Sequence, residues 1–299
     1  MEHDVVTFTP ATESFRSLDL FAREVTRVLR NIDKMCGHIG QLREEGMRRI
    51  LVLVPVPLDQ GSLARRRAQI EEVDVGRSVE FEFRSVKVGP AYFDSDHDSL
   101  LADIALTEAG LHAQAEGFDG VCVDTMSDSG VKVLRSILDI PVVGPGRVSF
   151  LTALMLGNRF SILTLWKPWA FGYEETLREM GLVDKCASIR WPEGVEPDLA
   201  HLLGAKKAVI FPKLLEAANE CIRDGADVLC LGSTTMHEAH AYLAANLPIP
   251  VINPGPLSYE VIELLLALGL RQSSSAYPRP AGPQLELIEA MVAAAANAS

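Results

Sequence analysis

Positive charge is what this chain has least of for its size: 28 Lys and Arg stand against 40 Asp and Glu, a net charge of -12. Neutralising a phosphate backbone needs a basic face, so the balance argues against a nucleic-acid partner. An acidic surface can still carry a locally positive pocket for a small anion. No apolar run reaches the roughly eighteen residues that a membrane span needs. The start, Met1-Glu-His-Asp, lacks the basic residues of a secretion signal. The expectation is a cytoplasmic protein with no membrane partner. Cysteine is sparse too. Cys36, Cys122, Cys186, Cys221 and Cys230 are odd in number and unclustered, which suggests neither a disulfide framework nor a thiolate metal site.

What the sequence does contain is a stretch that occurs twice. Asp119-Gly-Val-Cys-Val-Asp-Thr125 and Asp227-Val-Leu-Cys-Leu-Gly-Ser233 each open on Asp, carry Cys at the fourth position and end on a hydroxyl residue. The offset, 119 to 227, is 108 residues. Downstream, Ile140-Pro-Val-Val-Gly-Pro-Gly146 answers Ile249-Pro-Val-Ile-Asn-Pro-Gly255 at an offset of 109. Two matched elements at nearly one offset argue for a duplicated unit. The fold class read from this is α/β, in two pseudo-symmetric Rossmann-like lobes. Each lobe is a parallel sheet flanked by helices, with the active-site cleft between them. Ligands of open parallel sheets bind beyond the carboxyl ends of strands, so Thr125 and Ser233 should face one cleft.

In chain order, residues 1–48 read as a helical extension whose apolar stripe (Phe21, Val25, Val28, Leu29, Ile32, Met35) packs on the body or on a partner subunit. A homo-oligomer is the expected assembly. Residues 49–147 form lobe 1. Its strands are Arg49 to Pro55, a continuous apolar run, and Val79 to Val86, an alternating run nearer an edge. Residues 148–252 form lobe 2, with a helix starting at Pro212, and residues 253–299 return to lobe 1. The polar run Thr125-Met-Ser-Asp-Ser-Gly130 reads as the cap of a helix over 131–138 whose free N–H groups point toward Thr125.

The order and spacing of Arg49-Ile-Leu-Val, Gly89-Pro, the two Cys-centred strands, Gly157-Asn-Arg-Phe-Ser-Ile-Leu-Thr164 and Ile249-Pro-Val-Ile252 resemble the aspartate/glutamate racemase superfamily, most closely its hydantoin racemase branch. The resemblance covers about residues 49 to 277. It implies a two-lobed enzyme without a cofactor, exchanging a proton at a carbon beside a carbonyl or carboxylate. The expected substrate is a small anionic or cyclic amide molecule. In the family two cysteines, one per lobe, take and return the proton. Here those positions are Thr125 and Ser233. A thiol titrates near the working pH whereas an alcohol lies several units too high to act alone as a base. Cys122 and Cys230 sit three residues earlier, where side-chain alternation turns them away from the hydroxyl face and into the core.

With the thiols gone, other residues enter. Asp124 is either a loop-bonding carboxylate or a base. His237, in the first turn of a helix, is either unremarkable or an acid, or the activator of Ser233 as a nucleophile. Thr125, Ser233, Asp124 and His237 are the candidate catalytic residues. Pro55, Ser127, Asp128, Thr234 and Thr235 are the candidate substrate contacts, the threonines because hydroxyls and free N–H groups converge at a helix start. His237 and His240 share a helix face but have no third ligand in the sequence, so no metal is expected. Three readings stay open: a racemase-type isomerase, a hydrolase or decarboxylating lyase using Ser233, His237 and Asp124, and a binding protein that has lost the chemistry.

Overall fold

The computed structural model describes residues 47–73, 79–195 and 207–298; the expected helix over 21–35 lies outside them. Lobe 1 holds β1 (Arg48–Val54), α1 (Gln60–Arg67), β2 (Val79–Ser85), α2 (Asp96–Gly110), β3 (Gly120–Val123), α3 (Val131–Ile137) and β4 (Val142–Val143). After α4 (Pro145–Leu156) come β5 (Phe160–Leu163), α5 (Ala170–Met180), β6 (Cys186–Arg190), α6 (Lys207–Arg223), β7 (Val228–Leu231), α7 (His237–Asn246) and β8 (Val251–Ile252), then α8 (Pro254–Ala267) and α9 (Leu285–Ala298). The strands make two four-stranded sheets, ordered β2-β1-β3-β4 and β6-β5-β7-β8. Every pairing is parallel, and the registers correspond: Val121 sits against Val142 as Leu229 sits against Val251.

Helices cover both faces of each sheet, which explains the unbroken apolar run Ile50-Leu-Val-Leu-Val54, wholly inaccessible to solvent. The covering follows an exchange. α4 leaves the first sheet, yet its Phe150 and Ala153 pack with Phe160, Ile162, Val228 and Cys230 of the second. α8 leaves the second sheet, and its Tyr259 and Ile262 pack with Ile50, Val52, Phe81 and Cys122 of the first. Both helices open with Pro, whose fixed φ suits a first helical position and whose missing N–H is no loss there. The duplicated thiols follow the same pattern: Cys122 Sγ lies 3.7 Å from the Ser258 carbonyl of α8, and Cys230 Sγ lies 3.8 Å from the Ser149 carbonyl of α4. Both are fully buried against the exchanged helices.

One boundary differs from the sequence reading. α6 begins at Lys207, with Pro212 inside it instead of at its start. An interior Pro costs about 3 kcal/mol. Burial of Ile210, Leu214, Ala217, Ala218 and Cys221 along one face of this helix offsets that cost.

Gly146, second residue of α4, lies so close to the chain that an added Cβ would run into the Met126 carbonyl oxygen. Gly146→Ala is therefore expected to destabilise the protein by ~1–3 kcal/mol despite alanine's better helix propensity. Urea unfolding checks this; unchanged or increased stability would contradict the packing.

Candidate active site

The loops that leave β3 and β7 open into one cleft of about 690 Å³, counting its open mouth. Thr125 and Ser233 both line it, each at the end of its strand. Each hydroxyl bonds the hydroxyl two residues on: Thr125 Oγ1 to Ser127 Oγ at 3.0 Å, and Ser233 Oγ to Thr235 Oγ1 at 2.7 Å. From Ser127 the chain of hydroxyls continues to Ser129 at 2.8 Å. Pro55, Ser127, Asp124 and Thr234 also line the cleft. Of the nine residues singled out from the sequence, these six are brought together.

The other three have different partners. Asp128, in the left-handed region at φ 53°, gives both carboxylate oxygens to the first free N–H groups of α4: Gly146 at 2.8 Å and Arg147 at 2.8 Å. It caps a helix and faces a neighbouring chamber instead of the cleft. His237 Nδ1 pairs with Glu72 Oε1 at 3.0 Å and is absent from the cleft wall. Thr235 is buried and reaches the cleft only through Ser233. The start of α3 also lies off the cleft. Its Gly130 N–H is taken by Asp103 Oδ1 at 2.7 Å, and Gly130 and Val131 line the same neighbouring chamber as Asp128.

The cation of the site is Arg66, which sequence reasoning passed over as part of a polar helix. It is 5% exposed, and Nη1 donates to Asp124 Oδ2 at 3.2 Å and to Thr234 Oγ1 at 3.2 Å. Thr234 Oγ1 in turn donates to the Asp124 carbonyl at 3.2 Å. One guanidinium thus ties the strand end of lobe 1 to the first turn after β7 in lobe 2. The signal was there in Arg65-Arg-Arg67: helical geometry steps each side chain around the axis, so three neighbours cannot all face water on a packed helix. Asp124 has no exposed side-chain surface, and its other oxygen accepts from Gln69 Nε2 at 3.4 Å. Burial raises its pKa above the usual carboxylate value, and Arg66 pulls the other way.

Apart from Ser99 and two glycines, the rest of the wall is apolar or aromatic: Val56, Phe93, Met126, Trp169 and Tyr173. The Tyr173 hydroxyl, pushed up to about 12 by burial, donates to the Gly232 carbonyl. The lobes also meet at the mouth, where Trp169 Nε1 donates to the Tyr92 carbonyl at 2.7 Å beside Phe93, a non-glycine residue at φ 61°. Among the described residues of the wall there is no Cys, His, Lys or Glu, and Asp124 is its one carboxylate. The wall can bind a carbonyl or carboxylate oxygen through Arg66 and the hydroxyls. It presents apolar surface to the remainder of a small ligand. Among the described residues no group of three His, Cys, Asp or Glu side chains gathers as metal ligands.

Twin parallel sheets with one ligand cleft at their carboxyl ends define a two-lobed α/β enzyme scaffold of the racemase type. The chain belongs to the Asp/Glu/hydantoin racemase family, whose model matches residues 65–260. It is 28% identical to the hydantoin racemase of Paenarthrobacter aurescens over 200 residues, 66% of this chain and 83% of that protein. Among solved structures it resembles the allantoin racemase of Pseudomonas fluorescens, with TM-score 0.70, 25% identity, and 79% of this chain and 98% of that one covered. The fold is equally like that of the allantoin racemase of Klebsiella pneumoniae, with TM-score 0.71, 23% identity, and coverage of 81% and 98%.

Two outcomes test these electrostatics. Arg66→Leu leaves the Asp124 carboxylate buried without its cation and is expected to cost ~3 kcal/mol in urea unfolding, whereas Arg66→Leu/Asp124→Leu should cost less than the single change. Asp128 is one pH-dependent element, because desolvation pushes it up to about 6 from 3.8. Between those values the native chain holds a proton that the unfolded chain has released. Stability from this group is therefore complete below about pH 3.8 and is lost as pH rises through 6. Asp128→Asn should flatten the pH dependence of unfolding in that window; an unchanged slope would show that another group titrates there.

Proposed function

We propose that this chain is a cofactor-independent isomerase of the racemase type, acting at a carbon beside the carbonyl of a small cyclic amide or carboxylic acid. The observation that carries this is the pair Thr125 and Ser233, at equivalent strand ends and lining one cleft with the Arg66 cation. The substrate oxygen lies toward Arg66 and Ser233. There the negative charge that develops as the C–H bond breaks meets donors already in place. The electron pair of that bond moves onto the oxygen as an enolate, and the proton goes to Asp124, whose raised pKa suits a base better than an alcohol's does. Return of a proton to the planar carbon from Asp124 gives back the same hand; from water on the opposite face it gives the other, and the hydroxide left behind takes the proton from Asp124, restoring the carboxylate and a water.

A second reading is favoured by one observation: both oxygens of Asp124, the one carboxylate among the described residues of the wall, already accept hydrogen bonds. Loss of a carboxylate as carbon dioxide needs no base. Its electron pair becomes the same enolate, and a single protonation completes the reaction. Activation of Ser233 by His237 has no support, since His237 does not line the cleft and Ser233 Oγ bonds Thr235 instead.

Incubation in heavy water with hydantoins, amino acids and malonates, followed by NMR, separates the readings. Deuterium uptake with loss of optical rotation is expected for the isomerase and carbon dioxide release for the lyase. Neither, across the panel, would leave a binding protein. In Thr125→Cys/Ser233→Cys the restored thiol pair should produce deuterium exchange at least tenfold above the wild-type rate, and neither single change should do so. An equal gain in one single mutant would show that the two positions do not act from opposite sides of one ligand.

A further inference from the structure

The apolar side of the cleft is built from both lobes and joined at one peptide unit. Phe93, in the loop between β2 and α2, lines the cleft, and so does Trp169, in the turn before α5. The peptide between Tyr92 and Phe93 is bonded at both ends. Its carbonyl accepts from Trp169 Nε1 of lobe 2 at 2.7 Å, and its N–H donates to Asp98 Oδ2 of α2 at 2.9 Å. The Asp98 side chain is 14% exposed, so the second bond is largely shielded from water. Beyond the wall the contact between lobes continues through rings, Tyr92 to Trp166 with centroids 6.0 Å apart and Trp166 to Trp169 at 6.3 Å. The two bonds hold Phe93 at φ 61°, where the Cβ of an L residue is crowded and a side chain of this size is rare. Gly, Asn or Asp would take that turn with less strain. The chain keeps an aromatic residue of the cleft wall there instead.

Charge is distributed to match. Among the described residues of the wall Arg66 is the one cation, and Asp124 and Thr234 already engage it. Lys167, next to Trp166 in sequence, sits with Nζ 5.7 Å over the Trp191 ring and does not line the cleft. With one ligand oxygen at Arg66 and Ser233, a second charge on the same ligand would meet Val56, Phe93, Met126 and Trp169 and find no counter-ion. The neighbouring chamber, which shares Ser99, Ser127 and Gly172 with the cleft, offers an anion no better place. Its Lys132 pairs with Glu179 at 2.7 Å, and Arg135 spends Nε on the Val142 carbonyl and Nη1 on the Tyr277 hydroxyl. We infer, building on the reading of a cyclic amide or carboxylic acid as the ligand, that Phe93 is a specificity-determining residue, and that with Trp169 it receives an uncharged, apolar side group on the ligand's reacting carbon. The turn is fixed before the ligand arrives, so little ordering is left for binding to supply.

Binding tests the side group apart from the reaction. Isothermal titration calorimetry with the full chain compares hydantoins that carry methyl, benzyl or carboxymethyl at the carbon beside the ring carbonyl with the matched acids propanoate, 3-phenylpropanoate and succinate. In whichever series binds, the benzyl member should bind roughly tenfold or more tightly than the carboxymethyl member, through apolar burial on one side and an unpaired charge on the other. Equal affinities overturn the assignment. So does tightest binding of the carboxymethyl member, which would place the side group in the charged chamber, and so does binding of no member of either series. Phe93→Gly removes the ring at a φ that glycine adopts freely, and the benzyl-to-methyl affinity ratio should fall roughly fivefold or more. An unchanged ratio overturns the role of Phe93. If Phe93→Gly does not fold, Phe93→Asn, which also tolerates the turn, is held to the same result. Deuterium exchange that is indifferent to the side group would leave the isomerase reading standing and this one overturned; selective binding without exchange would do the reverse.

Discussion

One buried ion pair fixes the relation between the two halves of the site. Arg66 reaches from α1 in lobe 1 to Asp124 at the end of β3 and to Thr234 after β7, with all three side chains nearly inaccessible to solvent. Charges taken out of water stabilise a structure only when their geometry and remaining hydrogen bonds are good. Here the demand is met by Gln69 on one side of Asp124 and by Thr234 bonding back to its carbonyl. The arrangement makes the strand ends one rigid unit. It also brings the cation of a net acidic protein to the wall of its cleft.

The chemistry follows from what this unit presents. A thiol pair can divide the work, one sulfur as the thiolate that takes the proton and the other as the thiol that returns one, because a thiol titrates near the working pH. Two hydroxyls cannot work that way, and among the described residues of the wall the one carboxylate is the buried Asp124. Membership of the racemase family and an altered pair of strand-end residues are compatible, because the two-lobed fold and its cleft are retained. The apolar wall of Phe93, Met126 and Trp169 strengthens each hydrogen bond made inside it by excluding water.

The duplication and both sheets were legible in the sequence because parallel strands buried on two faces leave uninterrupted apolar runs, and because the repeat preserved spacing as well as character. Thr125 and Ser233 were legible for the same reason, as the first polar residues after matched strands. Arg66 was not, since a buried arginine and an exposed one look alike until the residues facing them are known. Asp128 and His237 were misplaced by proximity: a polar residue near a strand end in sequence was taken to face the cleft. In the fold Asp128 turns to the α4 backbone and His237 to Glu72. Local position along a chain fixes side-chain alternation on a strand but not direction in a loop.

The exchange of α4 and α8 has an evolutionary reading. A single half, strand through strand and ending in its own helix, would carry that helix away from its own sheet and leave one sheet face uncovered. In the intact chain the missing cover comes from the other half: Tyr259 and Ile262 lie over Ile50, Val52 and Cys122, and Phe150 and Ala153 lie over Phe160 and Cys230. Two identical halves trading these helices would have closed each other's cores as a symmetric swapped dimer. Within one polypeptide the trade remains while the two copies differ in sequence. One helix start now meets the Asp128 carboxylate and the other the Gln69 amide, so the two matched corners differ in charge.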